Sequence, residues 1–316
     1  MKYKLWIETW LELYVKPTCK IRSYEKYEQT VRIHIIPALG EYEMMELTAV
    51  CLQRFIVNLT HNGNVNSGKG LAANTVNGVI SILQRSLQVA VNTEQLTKQY
   101  ADLIVRPKTA EKKVECFSIK EQREIEKYVL DNYEKKPKLF GILLCLYTGL
   151  RIGELLALEW SDLDFEHNQL SVCKTAYSVK GKNGECELVI DSPKTANSTR
   201  IIPIPKQLAT YCKQLKKWSK SLYIIAQNNK PVCVRSYQRT FELLLRKLKI
   251  AHHGFHALRH TFATRALECG MDVKTLSEIL GHKNTSITLN RYAHSLMEHK
   301  TEMMNRLGKQ LFIDNE

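Results

Sequence analysis

Residues 148–158 read Thr-Gly-Leu-Arg-Ile-Gly-Glu-Leu-Leu-Ala-Leu, and the first three of them close an apolar run from Leu139 to Leu150. The run is interrupted by Gly141 and Gly149 and falls short of the ~20 residues a membrane-spanning helix needs, so it is read as a buried helix. Gly149 ends one helix or starts the next and lets the backbone approach closely. That places Arg151 at a helix N-terminal turn, a location that suits an anion. Glu154 lies one turn beyond Arg151 on the same face, where an ordinary exposed i,i+3 ion pair would look the same.

Toward the N-terminus the pattern is helical. Trp6, Trp10, Leu11 and Leu13 begin an apolar stripe. Ser23 is a candidate cap for a helix bearing Tyr24, Tyr27, Val31 and Ile35, which Pro37 and Gly40 should end. Residues 47–59 make the next helix, 61–70 are rich in Gly and Asn and read as a loop, and 73–91 carry Val76, Ile80, Leu83, Leu87 and Val91 on one face. Arg106-Pro-Lys-Thr-Ala-Glu-Lys-Lys combines a proline with charges and no apolar period, which is linker composition. The organisation predicted is a helical domain over 1–104, a linker over 105–114 and a larger domain over 115–316.

The larger domain opens with Ser118 as N-cap and Glu121 three residues on, and its helices extend through residue 158. Residues 170–179 and 187–190 then read as short strands around the turn 180–184, and 200–205 as another. Helices resume from Gln207 to the end. The fold class expected is mainly α with a small inserted antiparallel sheet.

The 316 residues include 46 Lys and Arg against 32 Asp and Glu, a formal charge of +14 that calls for a polyanion, with nucleic acid the leading choice. The N-terminal residues are charged at nearly every other position, so they do not read as a secretory signal, and a cytoplasmic location is expected with no membrane partner. Nine cysteines with no Cys-x-x-Cys pair argue against a disulfide framework and against a thiolate zinc site; they are read as reduced and mostly buried.

Four segments stand out together. They are residues 148–158, Ser192-Pro-Lys-Thr-Ala-Asn-Ser-Thr-Arg200, His256-Ala-Leu-Arg-His-Thr-Phe-Ala-Thr264, and Leu280-Gly-His282 followed by Asn290-Arg-Tyr-Ala-His294. In this order and spacing they resemble the catalytic domain of the tyrosine recombinases, which include phage and conjugative-transposon integrases and Xer recombinases. The resemblance spans about residues 117–294 and is weaker over the N-terminal helices. It implies a helical, SAM-like core-binding domain followed by a tyrosine recombinase catalytic domain.

The chemistry asks for cations. A phosphodiester under attack gathers charge on its equatorial oxygens, and the planar fork of a guanidinium matches two of them where an ammonium cannot. Arg151 and Arg259 are the positions that match. His256 and Arg259 share one helix face and can address one phosphate together. The resemblance makes His256 the histidine that assists proton transfer, His282 the donor to a non-bridging oxygen, Lys194 the general acid, Glu154 an orienting residue and Tyr292 the nucleophile. Lys180 and Lys182 compete with Lys194. The i,i+4 spacings among His252, His256 and His260 also raise a metal site, disfavoured because the intervening Glu of the zincin pattern is absent.

What the resemblance implies is cleavage and rejoining of DNA through a 3′-phosphotyrosyl link, integrating or excising a mobile element with neither metal nor nucleotide cofactor. The sequence has no P-loop and no clustered carboxylates of a two-metal site. The implied partners are double-stranded DNA at specific sites, clamped between the two domains, three further copies in a tetramer, and an accessory DNA-bending or excision factor. Arg235, Arg239, Arg246, Lys247 and Lys249 are candidate phosphate contacts, and an apolar stripe at Met297, Met304, Leu307, Leu311 and Phe312 suits a neighbouring protomer. Many integrases carry an arm-binding domain before the helical one, so this is either a simpler type or lacks an N-terminal piece. Two other readings stay open: a DNA-binding architectural protein without catalysis, and a type IB-like topoisomerase.

Overall fold

The computed structural model describes residues 1–109, 114–180, 186–191, 199–227, 229–292, 301, 304–305 and 307–308. The chain divides into two compact units, Met1–Lys112 and Lys113–Glu316.

The first unit is helical throughout. Helix α1 (Tyr3–Trp10) runs on through a π turn at Leu11–Val15, and α2 (Ile21–Thr30) runs through a second π turn at Val31–Ile35 into α3 (Ile36–Leu39). Helices α4 (Ala49–Asn62) and α5 (Ala73–Asn92) complete it. Trp6, Trp10, Ile35, Leu52, Ile56, Val76, Ile80, Leu83 and Leu87 form the core. Two hydrogen bonds tie α1 to α5: Tyr3 Oη to Ser86 Oγ at 2.7 Å, and Trp6 Nε1 to the Ser86 carbonyl at 3.1 Å.

Three local expectations change here. Helix α2 begins at Ile21, so Ser23 lies inside its first turn and not at the cap. Pro37 does not end the helix but occupies the first turn of α3, where a missing N–H is tolerated because the π turn just before it has already shifted the hydrogen-bond ladder. Leu13 is exposed, because the π turn rotates it out of the stripe. The first residues of the expected linker are held to α5: Arg106 donates to Gln84 Oε1 at 2.5 Å, and Asn77 donates to the Pro107 carbonyl at 3.2 Å.

In the second unit α6 (Ile119–Asn132) starts with the reciprocal Ser118–Glu121 capping box, and α7 (Phe140–Thr148) is buried along almost its whole length. Helix α8 (Ile152–Ala157) follows. The sheet region is two separate pieces. Strands β1 (Leu163–Asp164), β2 (Gln169–Val172) and β5 (Arg200–Pro203) form one antiparallel sheet, and β3 (Thr175–Lys180) with β4 (Cys186–Asp191) form a hairpin. The single strand expected over 170–179 is thus broken at Cys173 and Lys174. The register pairs Val172 with Arg200, which sets Arg200 at the start of β5.

Helix α9 (Lys206–Trp218) is followed by a small hairpin, β6 (Ala226–Gln227) with β7 (Lys230–Pro231), which interrupts the helices expected from Gln207 onward. Helices α10 (Val234–Lys247), α11 (His256–Glu268), α12 (Val273–Leu280) and α13 (Thr285–Tyr292) follow. The architecture is mainly α with small antiparallel sheets, as expected. No described helix is long and apolar enough to cross a membrane. The described cysteines are free thiols, yet only Cys145 and Cys212 are fully buried, fewer than the sequence reading expected.

Candidate active site

Two helix ends and one buried arginine organise the site. Helix α7 ends at Gly149 and α12 at Gly281, both in the left-handed region with φ of +65° and +64°. Such a cap turns the chain sharply and leaves the last carbonyls of the helix free to accept. Gly149 is also needed for space: a Cβ there would lie 2.5 Å from Phe262 Cδ1. Arg259, projecting from α11 and only 2% exposed, fills the gap between the two ends. It donates from Nη1 to the Gly149 carbonyl at 2.8 Å and from Nη2 to the Leu280 carbonyl at 2.7 Å.

The same Nη2 lies 2.9 Å from His282 Nε2. A guanidinium only donates, so Nε2 accepts and the imidazole proton sits on Nδ1, which is 2.7 Å from Thr288 Oγ1. Arg259 therefore fixes the tautomer of His282, and Thr288 on α13 accepts from its Nδ1 proton. Arg151 is the N-cap of α8, and its backbone N–H is bound by Glu154 Oε2 at 2.9 Å while its Nη1 reaches Glu154 Oε1 at 2.7 Å. Its Nη2 donates to the Gly281 carbonyl at 3.3 Å. Arg151, Arg259, His282 and Glu154 are thereby brought into one network.

Glu154 has a second partner that the sequence reading did not single out. Arg200, at the start of β5, donates from Nη1 and Nη2 to the two carboxylate oxygens at 3.1 and 2.8 Å, and from Nε to the Ile279 carbonyl at 2.5 Å. Burial alone would raise the Glu154 pKa, but the hydrogen bonds and charge of Arg200, with the charge of Arg151, outweigh it and hold the carboxyl at about 2. Arg259 moves the other way, to about 9, because burial penalises its charge and Arg151 repels it. Three arginines thus face one carboxylate, leaving a formal excess of two positive charges aimed at a common region.

Tyr292, at the end of α13, is 2% exposed and packs among Ala263, Ala266, Leu267, Leu276 and Leu280. Its hydroxyl lies 2.7 Å from Nδ1 of His260. His256 is exposed on the preceding turn of α11, and its ring meets the His260 ring edge-on with centroids 4.6 Å apart. His252 and His253 are drawn off to Glu242 and Glu115, so the four histidines do not converge. Lys194 and Lys182 lie outside the described residues, as do the side chain of Lys180 and Met297, Leu311 and Phe312 of the C-terminal stripe. Arg235, Arg239 and Arg246 line one groove along α10.

Arg200, His260 and Thr288 are the residues of this network that sequence reasoning did not assign. His260 stood next to Arg259 in a quoted segment but was weighed only as a metal ligand. Thr288 carried a weak signal, six residues after His282 and four before Tyr292, the spacing of one helix face.

Comparison with known proteins matches residues 117–299 to the Phage integrase family and residues 3–59 to the phage integrase N-terminal SAM-like domain. A "Tyrosine recombinase XerC-like" protein of Caldanaerobacter subterraneus subsp. tengcongensis is 31% identical over 97% of this chain and 82% of its own length. The "Transposase from transposon Tn916" of Enterococcus faecalis is 26% identical over 96% of this chain and 78% of its own length. The fold is similar to that of the Tn1549 transposon integrase solved in complex with transposon right end DNA, with a TM-score of 0.81 and 23% identity over 98% of this chain and 100% of that one.

Proposed function

Because the chain belongs to the phage integrase family and is a site-specific tyrosine recombinase, we propose that Tyr292 is its nucleophile and that Arg151, Arg259 and His282 bind the scissile phosphate. The observation that carries this reading is the convergence of Arg151, Arg259 and His282 on the ends of α7 and α12, with Tyr292 on the next helix. A phosphate entering there meets guanidinium charge that the fold already holds in place, and the N–H groups of Arg259 and His282 turn to it from the protein partners that occupy them.

Tyr292 Oη attacks the phosphorus, a 3′-phosphotyrosyl bond forms, and the bond to the 5′ oxygen breaks. Lys194 protonates the departing oxygen, and His256 assists proton transfer. The free 5′-hydroxyl of a partner strand then reverses the step. The phosphodiester energy is kept in the covalent link, so no nucleotide is consumed. Exchange between two duplexes breaks four strands, which four copies of the chain on DNA supply, one active site per strand. The partner is double-stranded DNA at sites at the ends of a mobile element, bound also by the N-terminal helices, with phosphate contacts from Arg235, Arg239 and Arg246 and an accessory DNA-bending factor; the reaction takes place in the cytoplasm.

The test is a nicked suicide duplex carrying the element's end, incubated in EDTA with wild type and Tyr292→Phe and resolved on a denaturing gel. A covalent band from wild type alone is expected. If both proteins retard the DNA on native gels and neither forms the band, the reading gives way to a DNA-binding role.

A further inference from the structure

Resting on the reading of Tyr292 as nucleophile, we infer that His260, the residue directly after the buried arginine, is the base that takes the phenolic proton. A phenol titrates near ~10, so at neutral pH nearly every Tyr292 carries its proton and must lose it as the bond to phosphorus forms. A proton acceptor must stand within hydrogen-bond reach of that oxygen. His260 Nδ1 is 2.7 Å from Tyr292 Oη. Tyr292 is buried against α11 and α12, so its hydroxyl is held in this contact by packing and not by a flexible loop.

The geometry also orders the histidines. His256 reaches the His260 ring, edge against face, at 4.6 Å between centroids. His260 in turn meets the Tyr292 ring edge-on at 5.8 Å between centroids with the planes 62° apart, and its Nδ1 is the ring atom within hydrogen-bond distance of the phenolic oxygen. With its own proton on Nε2, His260 offers the Nδ1 lone pair to Tyr292, while the exposed His256 lies on the solvent side of the pair. The proton balance is closed. Tyr292 Oη–H breaks and its proton moves to His260 Nδ1, Oη–P forms, P–O5′ breaks, and the 5′ oxygen receives its proton from the separate acid. In the reverse step His260 returns the proton to the phenolate.

Titratable groups against the His260 ring include His256 on α11 itself and Tyr292 on α13. The other elements packed on α11 carry Cys145 and Tyr147 on α7, Lys274 and Glu278 on α12, and Glu115 before α6, the last engaged with His253. Arg259 precedes His260, and its Nη groups donate to the helix-end carbonyls and to His282.

The experiment measures single-turnover cleavage of a suicide duplex whose scissile bridge is a 5′-phosphorothiolate. The leaving thiolate needs no proton, so the rate reports removal of the phenolic proton. Across about pH 5.5 to 8.5 the wild-type rate is expected to rise with a histidine-like limb and level off. His260→Asn, whose amide keeps a polar atom near the Nδ1 position, should be slower by about 100-fold at the plateau and lose the limb, with DNA binding on native gels retained. His256→Asn should keep the limb. A limb that persists in His260→Asn with the same midpoint, or a flat wild-type profile, overturns the assignment and leaves His260 a packing residue. A readout that leaves the histidine untouched is 3-fluorotyrosine at position 292: a limb that moves down in pH with the more acidic phenol also overturns it, and an unmoved limb supports it. No covalent product from wild type at any pH would instead sink the underlying reading of Tyr292.

Discussion

Arg200 and Glu154 meet side-on, two guanidinium nitrogens against two carboxylate oxygens, although 46 positions separate them in the chain. Both side chains are almost fully buried, at 6% and 7% exposure. Arg200 also holds the Ile279 carbonyl, so one side chain ties β5 to the start of α8 and to the end of α12. Removing it leaves the buried carboxylate to Arg151 and takes away its two-pronged partner. Arg200→Ala is expected to cost about 3 to 5 kcal/mol in urea unfolding, and Arg200→Lys to recover little, because an ammonium cannot span both oxygens and the carbonyl. A loss under 1 kcal/mol would mean the pair is solvated in solution.

Acid should release the same contact. The Glu154 carboxyl is held at about 2 against an ordinary 4.5, so the folded state favours its ionised form. The resulting stability, on the order of 3 kcal/mol, is full above pH 4.5 and is lost as pH falls toward 2. Comparing wild type with Glu154→Gln in urea at a series of acidic pH values checks this: the wild-type curve should fall more steeply, and parallel curves would contradict it.

Thr288 acts on His282 through one hydrogen bond to Nδ1. Thr288→Val keeps the shape and removes the acceptor of the Nδ1 proton, leaving the His282 ring less firmly oriented toward Arg259. Cleavage of suicide DNA is expected to slow about 10-fold, roughly one hydrogen bond's worth, with affinity in native gels unchanged. Equal loss of binding and cleavage would point to misfolding of α13 instead.

Gly149 has both a left-handed φ and a Cβ position already occupied by Phe262. Gly149→Ala should therefore destabilise by about 2 to 5 kcal/mol, the left-handed penalty and the overpacking together. Gly281→Ala shares the φ, and its Cβ would stand 3.0 Å from Arg200 Nη1. It should cost less in thermal unfolding yet slow cleavage more, since it disturbs the contact that positions α12.

Arg259 is buried beside two other arginines, which lowers its pKa to about 9. An anion placed there relieves both burial and repulsion. Inorganic phosphate at constant ionic strength should raise the Tm of wild type by mass action on the folded state, and do so less for Arg259→Met. Equal shifts in the two proteins would assign the effect to general salt exclusion.

Much of this site was legible because the chemistry lies in short-range patterns. Gly149 before Arg151 and Gly281 before His282 signal helix ends, and both glycines adopt the left-handed caps that place the carbonyls used by Arg259. The mainly helical class followed from apolar spacing in α1, α2 and α5, from the Ser118–Glu121 cap of α6 and from the continuous apolar run of α7. Contacts across the fold leave no such mark. Arg200 reaches Glu154 only because β5 pairs with β2 in the observed register, and nothing in the local sequence separates it from any strand arginine. The π turns escaped for a related reason: one extra residue per turn shifts the apolar stripe by less than the pattern resolves, so Leu13 was assigned to a face it has left.

The carbonyls that hold Arg259 belong to the ends of two helices, not to an acidic side chain. Orientation and neutralisation are usually delivered by one partner, a carboxylate, which steadies a cation only by cancelling it. Here they are separated. The helix termini act as fixed negative poles of partial charge, enough to aim the guanidinium and too weak to quench it. Glu154, which could have quenched it, is itself occupied by Arg200 and Arg151. The fold thereby stores an aimed and unspent positive charge in its interior, and an arriving anion completes an electrostatic circuit that the protein alone leaves open.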